Sequence, residues 1–534
     1  MATEARTAPS TALARRAGAA RLPRCSPAAW AAVALVAAFI VISCWWLSQD
    51  TSIPVFDAGM HLGYAFDAYE ALRAGHLARA LTQAAPYPPL VYLVGALGVF
   101  AGGIGVAPPI VAQNLVFVPL LALGCYQVGR LAFGRLAGVL AVLFALGSPM
   151  IIEEFHEFML DAPEAALVAL AVWAILASER FLRLGVCALA GAAVGLGMLT
   201  KETFVFFVAG VALAAAVRGG WRAWRGIALF AAVALAIALP WYLYELHAIS
   251  GLGNEAFGSS GALSRLRLPA GIAPPRLSAA NLEWYLWSFL NWQLLVPLFA
   301  FAAVGGLWTL AGFARRRPVS RFAVELACGA FGSWLAITET FAHDARYSLP
   351  MLVYLAVFGA CWIPRLPRPA TALAASALVL VAVANTLGVS FGVGSTLTTA
   401  PTNVAYEQQP DRLTFYANYG FWIGPPARDG DLLALLRRLR RAGVREVHWY
   451  SEREVEIEFS PPGIAVLARI AGLRVPSGPF DPRAASRADA VLLHGGGEPG
   501  FPPPCVTLRD GAGVWVRRGG SEGAQAWGYC PRGA

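Results

Sequence analysis

Long apolar runs follow one another along the chain as far as residue 392. A segment needs roughly 17 to 25 apolar residues to cross the core of a bilayer as a helix. Runs of about this length lie at 28–48, 109–129, 135–152, 161–178, 184–199, 202–217, 226–246, 289–313, 322–340, 348–363 and 370–392. The pattern predicts an all-α polytopic membrane protein with about eleven transmembrane helices.

One more apolar stretch, residues 88–107, is short and rich in glycine, and the arginines of the chain indicate how it lies. Cytoplasmic loops of membrane proteins carry an excess of Lys and Arg. The arginine-rich connectors lie at 130–135, 179–183, 218–225, 315–321 and 365–368. They all face the cytoplasm only if the 88–107 stretch does not cross. We therefore expect it to be a re-entrant or juxtamembrane segment at the outer face.

The two ends of the chain differ from its apolar middle. Residues 1–27 are polar and Arg-rich, which predicts a cytoplasmic N-terminal tail before a retained first helix. Residues 395–534 contain no apolar run of spanning length, and residues 432–442 have the pattern of an amphipathic helix. Strand-like alternation occurs at 446–449, 455–459, 490–493 and 514–516. We predict a transmembrane domain over 28–394, followed by a linker and a small extracytoplasmic α/β domain over 395–534.

The composition agrees with a membrane protein. The chain is 57% hydrophobic and 14% charged, with a mean hydropathy of +0.58, whereas soluble domains carry about a quarter charged residues. The net charge of +9 could indicate nucleic acid. However, the arginines lie mainly in the short connectors, so we expect the bilayer, and no nucleic acid, as the partner. None of the eight cysteines forms a CxxC pair, and Cys505 and Cys530 could form a disulfide if the C-terminal domain is extracytoplasmic.

This topology gathers the ionisable residues at one membrane face. The outer loops hold nearly all the acidic residues of the membrane half, five of the seven histidines and the one lysine. Charged groups at bilayer depth cost about 2.5 to 3.5 kcal/mol each, so they persist mainly where they pair or line a wet cavity. The sequence therefore predicts a polar reaction or binding site at the outer face.

Asp57 and His61 lie in the first outer loop, four positions apart, so a helix would place them on one face. A carboxylate there could accept the proton of an acceptor hydroxyl, and the imidazole could orient it. The alternative is an interfacial helix with a solvated polar face.

The second outer loop is crowded with titratable groups, namely Glu153, Glu154, His156, Glu157, Asp161 and Glu164. Oxygen ligands of this kind could hold a divalent cation. The same residues could equally form a wet turn between two helices, with Pro163 in the first turn of the second helix. The sequence leaves a possible divalent cation open and assigns no metal ligand.

Two cations stand apart from the cytoplasmic arginines. Lys201 is the only lysine, at the outer end of a Gly-rich helix, and it could bind phosphate as a compact charge or merely extend to the membrane surface. Arg346 lies at the outer boundary beside Tyr347 and requires an anionic partner. That partner could be Asp344 or a phosphate. No Gly-rich nucleotide loop is present, so an activated substrate would arrive as a lipid-linked phosphate.

An ordered set of short motifs resembles the GT-C glycosyltransferases, in particular the bacterial protein O-mannosyltransferase and aminoarabinose-transferase-like family (glycosyltransferase family 39-like). The resemblance covers roughly residues 28–362. After Asp57 and His61, its motifs are YPPL (87–90), FGRLAG (133–138), SP (148–149) before Asp161, GAAVGLGMLTKET (191–203), LPWY (239–242) and RYSLP (346–350). The resemblance implies a GT-C-like enzyme that moves a sugar from a polyprenyl-phosphate carrier to an acceptor, with inversion, at the outer face of a bacterial cytoplasmic membrane.

The resemblance also implies roles for individual residues. Asp57 would be the catalytic base, with His61 and Asp161 as the other catalytic candidates. Lys201 and Arg346 would bind the donor phosphate. The further substrate-binding candidates are Tyr87, His156, Glu157 and Tyr347. The chain has Ala58 where the family usually has a second acidic residue, which argues against a mechanism with paired carboxylates at this point, although His61 or Asp67 could substitute.

Two other classes of function remain as alternatives. A flippase or transporter of lipid-linked or anionic solutes would need polar residues along a pathway through both halves of the bilayer, and perhaps internal repeats. The polar residues here lie on one side only. A non-catalytic scaffold would leave Lys201 and Arg346 without a purpose. The sequence does not define the sugar or the acceptor, which could be a protein, a lipid or a glycan.

Overall fold

The computed structural model describes most of the membrane half of the chain and parts of the C-terminal region. The described residues are 26–54, 56–84, 86–246, 279–317, 319–339, 344–393, 426, 432–451, 460–475, 487–496, 500–508, 512–521 and 524–531. Within these ranges, helices form most of the chain as far as Phe391, and a small sheet with two helices follows. The predicted fold class, an all-α membrane protein with a small C-terminal α/β domain, is confirmed.

The helices of the membrane half begin and end close to the predicted runs. The first eleven are α1 (Pro27–Gln49), α2 (Phe56–Arg73), α3 (Leu77–Thr82), α4 (Leu90–Gly102), α5 (Ala107–Phe133), α6 (Arg135–Leu146), α7 (Pro149–Glu154), α8 (Asp161–Ala177), α9 (Leu184–Met198), α10 (Phe204–Gly219) and α11 (Trp224–Tyr244). The next five are α12 (Ala279–Ser288), α13 (Leu295–Ala314), α14 (Ala323–Thr338), α15 (Leu352–Cys361) and α16 (Arg368–Phe391). Shorter turns at Phe289–Gln293 and Ala345–Met351 precede α13 and α15.

The protein is a multi-pass membrane protein. By length and apolar composition, six segments of the described chain can cross a bilayer: Pro27–Gln49, Ala107–Phe133, Phe204–Tyr244, Leu295–Ala314, Ala345–Arg365 and Arg368–Phe391. The segment Phe204–Tyr244 has 41 residues and contains both α10 and α11. Several of the remaining predicted runs form shorter apolar helices, so the number of about eleven crossings stays a prediction.

The stretch 88–107 forms α4, which has only 13 residues. At 1.5 Å per residue such a helix is roughly 20 Å long, shorter than the ~30 Å core of a bilayer. It ends at Gly103, whose φ of +83° favours glycine, and the chain then turns back along α5. A Cβ atom on Gly98 would lie 2.3 Å from the backbone oxygen of Pro108, so the two helices touch at their backbones. Since α6, with 12 residues, is equally short and is predicted to cross, the expectation that this stretch does not cross stays a prediction.

Small residues let the long helices approach closely. A Cβ atom on Gly124 of α5 would lie 2.5 Å from the backbone of Ala169 in α8. In α9, a Cβ atom on Gly191 would lie 2.4 Å from the Phe230 oxygen of α11. Close packing of small residues is a main source of helix association in lipid, where burial of apolar surface contributes little. The Gly-rich motif before Lys201 is therefore a helix interface.

One end of the bundle is held by a buried glutamate and two arginines. Glu325, at the start of α14, is fully buried and accepts hydrogen bonds from Arg180 (2.9 Å) and Arg218 (2.5 Å). These arginines follow α8 and end α10, and both also donate to the backbone oxygen of Arg321. Three of the five connectors predicted to be cytoplasmic thus meet at one end of the bundle. Asp161 begins α8 and Lys201 lies just before α10, so both are at the other end of the bundle from these arginines.

The C-terminal region forms a four-stranded sheet in the order β1 (Val447–Ser451), β2 (Ala490–Gly495), β4 (Gly513–Arg518) and β3 (Val506–Thr507). The β1–β2 pair is parallel and the other two pairs are antiparallel. The predicted amphipathic helix is α17 (Leu432–Arg441), whose leucines lie in the core of this domain. The helix α18 (Pro461–Ile470) was not predicted, although Ser460 caps its N-terminus by accepting a hydrogen bond from the Gly463 N–H. The predicted strand at 455–459 lies outside the described residues.

Cys505 and Cys530 form a disulfide in the C-terminal domain, with their Cα atoms 5.4 Å apart. The hypothesis that these two cysteines pair is confirmed. The bond joins the residue before β3, the edge strand of the sheet, to a residue near the end of the described chain.

We expect Glu325→Gln to lower the free energy of unfolding by roughly 2 kcal/mol, because it weakens the hydrogen bonds between a buried carboxylate and two partly exposed arginines. Thermal unfolding of the purified protein in detergent measures this as a lower transition midpoint. The matched control is Glu179→Gln, since Glu179 is half exposed and pairs with Arg183 at 3.9 Å. That control is expected to change stability by less than about 0.5 kcal/mol. Equal midpoints for the two variants would contradict a stabilising role of the buried ion pairs.

Candidate active site

Asp57 and His61 lie on α2, as the four-residue spacing predicts. Asp57 is in the first turn of the helix, where a carboxylate interacts favourably with the helix dipole. His61 is only 4% exposed, and its Nδ1 atom lies 2.9 Å from the Tyr92 hydroxyl. The ring of Tyr87 meets the imidazole edge-on, with 5.2 Å between ring centroids. The alternative of a solvated polar helix face therefore does not describe His61.

Arg346 forms ion pairs with two carboxylates. It lies in the 3-10 turn Ala345–Met351, whose N-terminus is capped by Asp344. Its Nη2 atom pairs with Asp57 Oδ2, and its Nε atom lies 3.2 Å from Asp344 Oδ2. Asp344 is thus the internal partner that the sequence left open, and Asp57 is a second one. The first and last motifs of the predicted site meet in this contact.

Lys201 and Asp161 form a second, more deeply buried ion pair. Lys201 Nζ lies 2.7 Å from Asp161 Oδ1, and the two side chains are 10% and 3% exposed. The same Nζ atom lies 4.7 Å from the centroid of the Tyr347 ring, and the Arg346 guanidinium carbon lies 5.7 Å from it. Tyr347 therefore contacts both cations. This ring brings Lys201, Asp161, Arg346 and Asp57 into one site.

Glu157 and Glu164 flank this site. The Glu164 carboxylate accepts a hydrogen bond of 2.8 Å from Oγ1 of Thr203, which is two residues after Lys201. The backbone oxygen of Glu157 accepts one of 3.0 Å from Gln113. Burial raises the pKa of the Glu157 carboxyl to about 8, and the charge of Arg346 opposes this shift. Arg346, which pairs with Asp57, therefore also acts electrostatically on Glu157.

His156 lies apart from these residues. Its ring stacks on Trp46 with 4.3 Å between centroids and an angle of 8°. It lines an apolar cavity of about 240 Å³ between α1, α6 and α16, together with Phe39 and Ser390. Its side chain is buried, and burial lowers its pKa to about 3, with no charged neighbour contributing. These contacts of His156 do not support its predicted role as a substrate-binding residue beside the ion pairs.

Among the described residues, no group of three or more His, Cys, Asp and Glu side chains is arranged to hold a metal ion. The acidic residues of the second loop instead contact protein cations and hydroxyls, as with Lys201–Asp161 and Thr203–Glu164. The arrangement of this loop therefore gives no support to the possible divalent cation.

The electrostatics of the site leave two anions facing two cations. Burial raises the pKa of Asp57, but the charge of Arg346 and its hydrogen bond outweigh this effect and bring the pKa below its ordinary value. Burial lowers the pKa of His61 to about 4, so its imidazole is neutral at pH 7. Burial alone would lower the pKa of Lys201, whereas Asp161 and Glu164 raise it above its ordinary value. Lys201 is therefore a fixed positive charge.

Sequence reasoning missed several residues that hold the site in place. Gln293 is fully buried; its side-chain amide donates to the Ala345 oxygen (2.7 Å) and its backbone oxygen accepts from Ser148 (2.6 Å). Asn114 donates to the Phe155 oxygen (3.0 Å) and so fixes the acidic loop. Both are amides within or beside apolar runs, and such residues usually face a bundle interior, which is a usable signal.

The chain is similar in sequence to one protein family and in structure to solved membrane proteins. The family model described as dolichyl-phosphate-mannose-protein mannosyltransferase matches residues 87–244, which is less than half of the chain. The structure of ArnT from Cupriavidus metallidurans in the apo state matches with a TM-score of 0.57 and 17% identity, over 88% of this chain and 93% of ArnT. ArnT bound to undecaprenyl phosphate matches with a TM-score of 0.57 and 16% identity, over 88% of this chain and 94% of that one. A sequence search of curated proteins finds no match.

These matches agree with the resemblance found in the sequence, which rested on motifs within and beyond the matched residues. Because the sequence identities are low, the ArnT structures establish the fold alone. The family model adds a sequence match over the helices α4–α11 of this chain. The chain is therefore identified as a multi-pass membrane protein of the GT-C fold, similar to glycosyltransferase family 39.

Proposed function

We propose that this protein is a polyprenyl-phosphate-sugar-dependent glycosyltransferase. It acts at the outer face of a bacterial cytoplasmic membrane and transfers a sugar, with inversion, to a protein, lipid or glycan acceptor. The observation that supports this proposal best is the contact of Asp57 with Arg346, beside Lys201 and around one tyrosine ring. A carboxylate that can act as a base, beside two cations, suits the transfer of a sugar from a phosphate.

The two ends of the bundle support the proposed orientation. The end that carries Arg180, Arg218 and the 315–321 connector is rich in arginine, as cytoplasmic ends are. The opposite end carries the Asp57 and Lys201 pairs, and the C-terminal domain packs there against α2. The disulfide Cys505–Cys530 is typical of an extracytoplasmic compartment. The C-terminal domain is therefore proposed to be extracytoplasmic.

The proposed reaction is a single displacement at the anomeric carbon of the donor sugar. The acceptor oxygen forms a bond to this carbon while the bond from the carbon to the phosphate oxygen breaks, and the electron pair leaves with the phosphate. The proton of the acceptor hydroxyl passes to the Asp57 carboxylate. Lys201 and Arg346 stabilise the negative charge that develops on the phosphate. One displacement inverts the configuration at the anomeric carbon.

The ion pair between Asp57 and Arg346 gives the donor a way to activate the base. A carboxylate that is held by an arginine has a low pKa and is a weak proton acceptor. A donor phosphate competes for the Arg346 guanidinium and so removes the charge that lowers this pKa. Burial then raises the pKa of Asp57 towards the range in which a general base works well. Donor binding thereby prepares Asp57 to accept the proton of the acceptor.

We expect Asp57→Asn to reduce the rate of sugar transfer by a factor on the order of 10³, because a general base contributes roughly 10² to 10⁴. The assay uses purified protein, a panel of radiolabelled undecaprenyl-phosphate sugars, and membrane fractions as acceptors. Asparagine keeps the size of the side chain and an oxygen that can accept a hydrogen bond from Arg346. The control is Glu179→Gln, an exposed carboxylate at the other end of the bundle, which should transfer sugar at the wild-type rate. An Asp57→Asn variant with wild-type activity would remove the assigned base.

We expect Lys201→Met to weaken the binding of undecaprenyl phosphate by roughly 10- to 100-fold, because a hydrogen bond to a charged group contributes about 1.5 to 3 kcal/mol. Titration of the lipid into purified protein in nanodiscs measures this change. Since Lys201→Met leaves Asp161 buried without its cation, the pair Lys201→Met with Asp161→Asn separates lost binding from lost stability. Arg183→Met, an exposed cation at the arginine-rich end, is the matched control. Unchanged lipid affinity in the stable double variant would contradict the phosphate-binding role.

A further inference from the structure

The C-terminal domain contacts the membrane half through the helix that carries Asp57. Its helix α18 runs alongside α2 in the same direction. Near the start of both helices, a Cβ atom on Gly59 would lie 2.7 Å from the backbone nitrogen of Gly463. A Cβ atom on Gly463 would in turn lie 2.5 Å from the backbone oxygen of Pro54. The two backbones therefore touch on either side of Asp57 in the sequence, and no side chain fits between them.

A charged contact holds the other end of the same pair of helices. Arg469, six residues after Gly463, places Nη1 2.7 Å from Asp67 Oδ1 and Nη2 2.7 Å from Glu70 Oε1. Its guanidinium carbon also lies 5.5 Å from the centroid of the Phe66 ring. The side chain is 26% exposed, less than either acid. A planar guanidinium that engages two carboxylates fixes direction as well as distance, which an ammonium group cannot do.

Apolar side chains complete the interface between the two parts of the protein. Val466 of α18 belongs to the hydrophobic core of the membrane half, and Ile53 belongs to the core of the C-terminal domain. Ile470 and Val106 pack against both cores. The C-terminal domain is thus joined to α2 by shared cores, a backbone contact and two ion pairs.

We propose that Arg469 is a positioning residue that holds the Asp57-bearing helix against the donor-binding cations. This inference rests on the proposed role of Asp57 as the base. The geometry supports it because the ion pairs of Arg469 hold α18 along α2. The start of α18, at Gly463, then touches Gly59 in the first turn of α2, the turn that carries Asp57. Lys201 and Arg346 belong to other segments, the turn before α10 and the 3-10 turn before α15. Among the described residues, the side chains of Lys201 and Arg346 bond to Asp161, Asp57, Asp344 and Met159, none of which belongs to α18.

Loss of Arg469 is therefore expected to impair turnover and to leave donor binding nearly unchanged. We expect Arg469→Ala to lower kcat by about tenfold or more and to change the donor KM by less than about twofold. Arg469→Lys, which can pair with one acid at a time, should retain an intermediate kcat. The control is Arg474→Ala in the same domain, since Arg474 is 79% exposed and lies 3.8 Å from its nearest acid. It should leave both constants unchanged.

Removal of the two acids tests whether Arg469 acts through α2. We expect Asp67→Asn with Glu70→Gln to give the same loss of kcat as Arg469→Ala, and the triple variant to lose no more than either. Gly463→Val, which inserts a side chain where the backbones touch, should also lower kcat. Gly496→Val is its control, because a Cβ atom on Gly496 would meet nothing within 4 Å.

The outcomes separate this inference from the proposed function. If Asp57→Asn is inactive and Arg469→Ala turns over at the wild-type rate, the positioning role is wrong and the base assignment stands. A loss in the triple variant that equals the product of the separate losses would also overturn it. If Asp57→Asn is active, the proposed function fails whatever Arg469 does. Should Arg469→Ala not fold, the Arg469→Lys and Asp67→Asn with Glu70→Gln variants decide by the same criteria.

Discussion

The site depends on ion pairs that join segments far apart in the sequence at the end of an apolar bundle. Arg346 and Asp57 are 289 positions apart, and Lys201 and Asp161 are 40 apart. An unpaired charge at this depth would cost several kcal/mol, so each pair persists because both partners are present. In the proposed mechanism, a donor phosphate replaces Asp57 as the partner of Arg346, and the displaced carboxylate becomes a better base.

The helices around the site provide the rigidity that these pairs need. Contacts at glycines set the distances between α5 and α8 and between α9 and α11. Asp161 is the first residue of α8, and Lys201 follows the end of α9, so these contacts also fix the segments that carry the ion pair. Hydrogen bonds from buried amides then fix the connecting loops, as with Gln293 on the Ala345 oxygen. At the opposite end, Glu325 forms ion pairs with two arginines and so joins α14 to the ends of α8 and α10. The C-terminal domain adds a further constraint at α2, through Arg469 and the contact between Gly59 and Gly463.

Much of this architecture could be predicted from the sequence because apolar length and arginine placement are strong constraints in a bilayer. The positions of the helices, the shortness of α4 and the placement of Asp57, Lys201 and Arg346 at one end of the bundle follow from them. That these three residues belong to one site is implied by the family resemblance. Contacts between separate segments could not be derived in the same way. The stacking of His156 on Trp46 shows this, since a histidine among four acids in the sequence belongs to an apolar cavity in the fold. The docking of α18 on α2 depends on two glycines whose proximity no local pattern reveals.

The central claim is that Lys201 and Arg346 bind the phosphate of a lipid-linked donor next to Asp57. An experimental structure of the purified protein with undecaprenyl phosphate tests it most directly. We expect the phosphate within hydrogen-bonding distance of the Lys201 ammonium and the Arg346 guanidinium, with Arg346 drawn away from the Asp57 carboxylate. A phosphate bound elsewhere on the protein, with the Asp57–Arg346 and Lys201–Asp161 pairs both unchanged, would contradict the account.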